Sequence, residues 1–190
     1  MKTLADYLRE ADKEGRPRSG IILGIRMVLR AMKELHIDDP ADAHRQLVAF
    51  VETDRCLPDA VELVTGCRLG NRTLKFRDLG KMAVTFLDLR NDHAVRLAAR
   101  ETANQRALET FQDHEKEEAL ARAYREWPEE ELFSWQPVAV ELPAEERPGY
   151  RAPRVVCAEC GEGVSFTREV TRAGRPLCRS CAGEHYYKPG

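Results

Sequence analysis

Apolar positions in the first part of the chain recur at helical spacing. Leu4 to Lys13 reads as an amphipathic, mostly polar helix, which Gly15, Pro17 and Gly20 break. From about Gly20 to Leu35 the stripe Ile21, Ile25, Val28, Met32 and Leu35 sits in a segment apolar on most faces, which predicts a buried helix. Gly20 and Gly24 are one turn apart, so another element is expected to approach closely there. After the Asp38-Asp39-Pro40 turn the pattern changes. Gln46 to Glu52 is rich in β-branched and aromatic residues and reads as a strand. Pro58 opens a short helix that Gly66 closes. Thr73–Phe76 and Met82–Leu89 predict two strands around an Asp78–Gly80 turn, and Ala94–Ala99 another. Glu101 to Glu126 looks helical, with Leu108, Phe111, Leu120, Tyr124 and Trp127 apolar in a charged background. Its stretch Gln112–Glu118 is either a bend or a solvated face. Val138–Leu142 reads as the last strand. Helices and strands mix without strict alternation, so the expected class is α+β.

Composition adds a boundary and a compartment. The polar run Pro143–Pro153 carries three prolines and reads as a linker. It divides the chain into a mixed helix/strand core domain, residues 1–145, a linker, 146–154, and a small module, 155–190. The net charge of −2 over 190 residues does not call for nucleic acid, although Arg151 to Gly190 holds seven Lys/Arg against four Asp/Glu. The N-terminus has no apolar signal core, and Arg26, Arg30 and Lys33 interrupt the longest apolar stretch, which is also too short to span a bilayer. A cytoplasmic protein without membrane association is expected. There, cysteines favour metal sites over disulfides.

In the small module, Cys157-Ala-Glu-Cys160 and Cys178-Arg-Ser-Cys181 are separated by 17 residues. Two such pairs supply the closed tetrahedral thiolate set of a structural zinc site. Gly161 permits the knuckle turn, Val164–Val170 and Arg172–Leu177 form a hairpin around Ala173–Gly174, and Arg179–His185 is expected as a final helix. That arrangement is a treble clef, and over about thirty residues it resembles the zinc finger of TraR/DksA-type proteins. Redox pairs or an iron–sulfur cluster are the alternatives, and no thioredoxin-like frame surrounds either pair. With four thiolates on the ion there is no open position for substrate, so the metal is expected to be structural.

Cys56 and Cys67 lie in the core domain at the two ends of the predicted short helix. Its nine residues would hold them roughly 13 Å apart, which argues against a disulfide. Cys56 sits at the helix N-terminus, where the backbone dipole favours thiolate, with Asp54 and Asp59 opposing. The other reading is that both are small buried hydrophobes.

The run Val51-Glu-Thr-Asp-Arg-Cys56-Leu-Pro-Asp59-Ala, then Val64-Thr-Gly-Cys67-Arg-Leu-Gly70, then Leu74-Lys-Phe-Arg-Asp-Leu-Gly80-Lys81-Met-Ala, resembles the FmdE family, the E-type component of formylmethanofuran dehydrogenase. Gly20-Ile-Ile-Leu-Gly24-Ile-Arg26-Met27 fits as well, and the likeness covers about residues 3 to 145. It implies an α+β core with a pocket around the Cys56 motif, with Cys56, Asp59 and Lys81 as candidate catalytic residues. It also implies a homodimer and, in the methanogenic setting, association with a molybdenum or tungsten enzyme that reduces carbon dioxide onto methanofuran. Many members of that family carry His-x-Cys-Pro-Gly before the glycine helix. This chain has Gly15-Arg16-Pro17-Arg18-Ser19-Gly20 instead, and arginine does not ordinarily ligate a metal. A second metal site is therefore not expected. Arg16 and Arg18, with Cys56 and Cys67, are candidates for binding a small anion or one-carbon ligand, or the arginines are simply solvated.

Three functions remain at this level. The first is an accessory or subunit-like protein of one-carbon metabolism, acting through the Cys56 pocket. The second is a stand-alone cysteine-dependent enzyme, with His36, His44 or His93 approaching Cys56 in space. The third is a zinc-finger regulator of nucleic acid or a protein partner, against which the charge and the missing basic–aromatic stripe argue.

Overall fold

The computed structural model describes residues 2–12, 18–43 and 45–188. The chain divides into two compact units, Met1–Glu141 and Leu142–Gly190.

In the first unit the opening helix is α1, Leu4–Ala11. Thr3 and Asp6 cap it reciprocally: the Asp6 amide donates to Thr3 Oγ1 (3.2 Å) and the Thr3 amide to Asp6 Oδ2 (2.8 Å). The apolar segment forms α2, Ser19–Glu34. Its Ile22, Ile25, Met27, Val28, Ala31 and Met32 are fully buried, as expected of a helix apolar on most faces. Strand β1, Leu47–Val51, leads to α3, Leu57–Thr65, with Pro58 in the first turn and Gly66 left-handed at the end (φ 70°). A Cβ on Gly24 would lie 2.7 Å from Ala60 Cβ, and one on Gly20 would lie 3.0 Å from both Cys56 Cβ and Sγ. The glycines of α2 thus let α3 pack against it at backbone distance, as their spacing predicts.

Strands β2 (Leu74–Phe76), β3 (Ala83–Asp88), β4 (His93–Ala99) and β5 (Phe133–Val138) complete a sheet of order β2-β1-β3-β4-β5. β1 and β2 are parallel, and the other neighbours are antiparallel. Leu47, Ala49, Val51, Val84, Phe86, Val95 and Leu97 point from alternate positions into one core with α2 and α3.

The long predicted helix is two, α4 (Glu101–Thr110) and α5 (Lys116–Glu126), joined through the charged stretch read as a bend. Phe111, at the break, stacks on Trp127 with ring centroids 6.2 Å apart. A short helix α6, Glu129–Leu132, follows. The final strand is not Val138–Leu142. It runs from Phe133, which pairs with Ala99, to Val138, which pairs with Ala94, and residues 139–142 have no strand structure. Pro137 disguises it, because proline reads as a strand breaker. On an edge strand its missing N–H costs no ladder bond.

The second unit holds two small hairpins, β6 (Val155–Val156) with β7 (Gly163–Val164), and β8 (Val170–Arg172) with β9 (Arg175–Leu177). Ala173 and Gly174 both have positive φ (49° and 75°), as a tight two-residue hairpin turn requires. The helix expected over Arg179–His185 is not formed. The Ala182 amide donates to Cys178 O (2.9 Å), and Gly183, at φ 103°, then turns the chain after a single helical turn. No described helix of the chain is long and apolar enough to cross a membrane.

Candidate functional site

In the second unit, one sulfur from each of Cys157, Cys160, Cys178 and Cys181 lies within 4.8 Å of every other. Cys160 Sγ and Cys178 Sγ are 3.8 Å apart. A tetrahedron with metal–sulfur bonds of about 2.3 Å has edges of about 3.8 Å, so the separation fits a shared zinc ion. Backbone amides are already aimed at the sulfurs: Cys178 N–H donates to Cys157 Sγ (3.2 Å), and Cys181 N–H to Cys178 Sγ (3.3 Å). Amides of Cys160 and Cys178 bring the Cys157 thiol down to about 6, the direction a metal ligand needs. Gly161 (φ 76°) closes the knuckle, as expected. The surrounding core consists of little more than Cys157, Leu177 and Ala182, with Val164 and Val170 partly covered. So small a core does not hold a fold without a crosslink or metal.

In the first unit, the family-like motif Val51–Cys56 anchors the loop that follows β2. Glu52 O accepts from Leu79 N–H (3.3 Å) and Lys81 N–H (3.1 Å), and Val51 O accepts from Arg77 N–H (2.9 Å). The Glu52 carboxylate is buried and paired in two bonds with Arg96 of β4 (2.7 and 2.8 Å). Gly80 takes φ 65° between them. The conformation of Lys81 is thereby fixed from both sides.

Lys81 lies on a cleft of about 390 Å³, with Ser19, Gly20 and Leu23 of α2, Met82 just before β3, Ala98 and Ala99 of β4, and Glu101, Asn104 and Tyr124 of α4 and α5. Tyr124 is buried, and its hydroxyl donates to Asn104 Oδ1. Burial, helped by the charges of Glu101 and Glu117, pushes the phenol up to about 12, so it stays a donor. Asn104 Nδ2 in turn donates to Glu101 Oε2 (3.3 Å). Glu117 accepts from the Ser19 amide and so occupies the N-terminus of α2. One charge of each sign, Lys81 and Glu101, therefore faces the cleft.

The remaining predicted residues divide. Cys56 is partly buried behind Gly20, next to the cleft but outside its lining. Cys67 is buried in the core, donates to Leu47 O (3.5 Å), and its thiol is pushed up by burial; it does not line the cleft. Both cysteines are free, as the helix between them predicts. Asp59 is exposed in the first turn of α3. Arg18 is exposed as the residue preceding α2. Arg16 and His44 lie outside the described residues. The sequence pattern does not mark Ser19, Glu101, Asn104 or Tyr124 as site residues. The available signal is Tyr124 on the otherwise apolar face of α5, with Leu120, Ala121 and Ala123, a pattern that asks for a polar partner to the hydroxyl.

Comparison with known proteins agrees with both units. Residues 15–134 match the family model described as FmdE, molybdenum formylmethanofuran dehydrogenase operon. Residues 150–187 match the prokaryotic dksA/traR C4-type zinc finger. A protein from Archaeoglobus fulgidus named a probable S-adenosyl-L-methionine-binding protein is 32% identical over 200 aligned positions, covering 94% of this chain and 53% of its own length. The chain thus spans about half of that curated relative. The crystal structure of a tungsten formylmethanofuran dehydrogenase FmdE-like protein from Syntrophus aciditrophicus superposes with a TM-score of 0.68 at 25% identity, over 98% of this chain and 96% of that one. The chain belongs to the FmdE family and joins an FmdE core to a C-terminal zinc-binding cluster of four cysteines.

Proposed function

We propose that this is an accessory or subunit-like protein of one-carbon metabolism, in which the FmdE core binds a small ligand and the finger is a zinc-held structural module. The observation that carries the ligand reading is the cleft beside the Cys56 helix, with Lys81 held on its rim by Gly80 and the Glu52 carbonyl. Its volume is in the range of small-molecule sites, about 300–1,000 Å³. Membership of the FmdE family and the likeness to the Syntrophus protein support formylmethanofuran dehydrogenase as the setting, with a molybdenum or tungsten enzyme as partner. In the finger, Cys157, Cys160, Cys178 and Cys181 would hold one zinc ion and fill its coordination shell, leaving no position for a reacting water. The homodimer belongs to the same proposal. The apolar stripe of α2 is buried within the chain, so support for self-association moves to exposed Leu69, Phe76 and Leu79 around edge strand β2.

The name of the Archaeoglobus relative favours a second reading of the same cleft, as a site for S-adenosylmethionine. Calorimetric titration of the zinc-loaded protein with formate, formylmethanofuran and S-adenosylmethionine separates the two. Binding of one of them, lost in Lys81→Ala, is the expected result. No heat with any of the three, or binding unchanged by Lys81→Ala, would overturn the ligand reading.

A further inference from the structure

The chemistry lining the cleft is not that of a simple anion site. Lys81 has no hydrogen-bond or ion-pair partner for its ammonium among the described residues, and it does not pair with Glu101. Among the described residues Glu101 does not pair with a cation either. Its carboxylate is oriented by Asn104, which is itself fixed by the buried Tyr124 hydroxyl. A bare carboxylate or phosphate entering toward Lys81 would share the cleft with the Glu101 carboxylate. A bare amine entering toward Glu101 would meet Lys81. Opposite charges that share a cleft without neutralising each other suit a ligand carrying both charges.

Two further features define that ligand. Ser19 is only 6% exposed and lines the cleft, and its hydroxyl has no hydrogen-bond partner among the described residues. The hydroxyl is open to the cleft, where water or a ligand atom can meet it. Leu23, Met82, Ala98 and Ala99 then provide an apolar wall for an uncharged ligand body.

We propose that the cleft recognises an amino-acid-type zwitterion, its carboxylate on Lys81, its ammonium on Glu101, and an aliphatic or thioether body against Leu23 and Met82. Tyr124 and Asn104 act as positioning residues for Glu101. This rests on the reading of the cleft as the ligand site, and it narrows the ligand from any small anion to one that carries both charges.

The test uses the full-length zinc-loaded protein and three matched probes: L-methionine, its deaminated acid and its decarboxylated amine, with S-adenosylmethionine as the extended form. L-Methionine is expected to bind, and each single-charge analogue to bind at least about tenfold more weakly, as the loss of one charge-assisted hydrogen bond predicts. Lys81→Met should remove the discrimination against the amine, and Glu101→Gln the discrimination against the acid. Both side chains are exposed, and circular dichroism checks that the variants fold. If the acid binds as well as L-methionine and Glu101→Gln leaves it unchanged, the zwitterion proposal fails and the cleft survives as an anion site. If neither the acid, the amine, L-methionine nor S-adenosylmethionine binds, the zwitterion proposal is overturned; the reading of the cleft as the ligand site falls with it only if formate and formylmethanofuran also fail to bind.

Discussion

Gly24 is the position where α2 and α3 come closest, and replacing it with alanine sets two effects of opposite sign against each other. In an isolated helix the change stabilises by about 1 kcal/mol, because glycine is the poorer helix former. Here the new methyl would lie 2.7 Å from Ala60 Cβ. Ordinary carbon–carbon contact needs about 3.5–4.0 Å, so the helices must separate by roughly 1 Å. Ala60 Cβ is attached directly to the α3 backbone and cannot rotate away, and its surroundings, Val61 and Leu57, are fully buried. Overpacking of that kind costs about 1–3 kcal/mol, so Gly24→Ala should be net destabilising by up to about 2 kcal/mol. Ala60→Gly should also destabilise, by about 1 kcal/mol for propensity plus the lost packing. The double variant exchanges the methyl across the interface and should recover much of the loss, with a coupling of about 1 kcal/mol or more. Urea denaturation followed by tryptophan fluorescence reads this directly, because both tryptophans, Trp127 and Trp135, belong to the first unit. A stabilised Gly24→Ala, or two single changes that simply add, would refute the close approach.

The Glu52–Arg96 pair links the motif before Cys56 to the sheet. Arg96→Met should cost about 3 kcal/mol by stranding a buried carboxylate, and Glu52→Gln less, since Arg96 is the more exposed partner; equal small effects by urea denaturation would contradict the pairing. Tyr124 has its phenol raised to about 12, so its stabilising contribution is complete below the ordinary tyrosine value near 10 and is lost as pH rises through 12. Ultraviolet titration should show one late-ionising tyrosine that disappears in Tyr124→Phe, and that variant should lose less stability between about pH 10 and 12. Cys157→Ser, or a strong chelator, should unfold the finger while leaving core fluorescence unchanged, since zinc contributes on the order of 10 kcal/mol to such modules; a finger that keeps its amide dispersion without metal would contradict the structural role.

The elements whose residues face one environment throughout were legible in the sequence. α2 is apolar on most faces because it is buried on most faces, and α3 is bracketed by Pro58 and Gly66. The four cysteines were legible for a different reason: chelation fixes their spacing locally, so the pattern needs no tertiary context. The elements that depend on a neighbour were not. β5 is a strand because β4 offers it a partner, whatever Pro137 suggests. The turn after Cys178 stays short because Gly183 leaves the helical region. The cleft is the clearest case, since Ser19, Lys81, Glu101 and Tyr124 come from four separate stretches of the chain. Cys56 reads in the sequence as a thiol at a helix start, whereas its place behind Gly20 follows from the packing of α3 on α2.

The central claim is a division of labour: the core binds the ligand and the finger is a scaffold. Backbone amide spectra of the ¹⁵N-labelled, zinc-loaded protein, titrated with S-adenosylmethionine, L-methionine and formate, test it most directly. The account predicts shifts confined to the cleft, around Ser19–Leu23, Gly80–Met82, Ala98–Asn104 and Tyr124, with the amides of Cys157–Gly161 and Cys178–Cys181 unmoved. Shifts centred on the finger cysteines, or none with any of the three ligands, would contradict it.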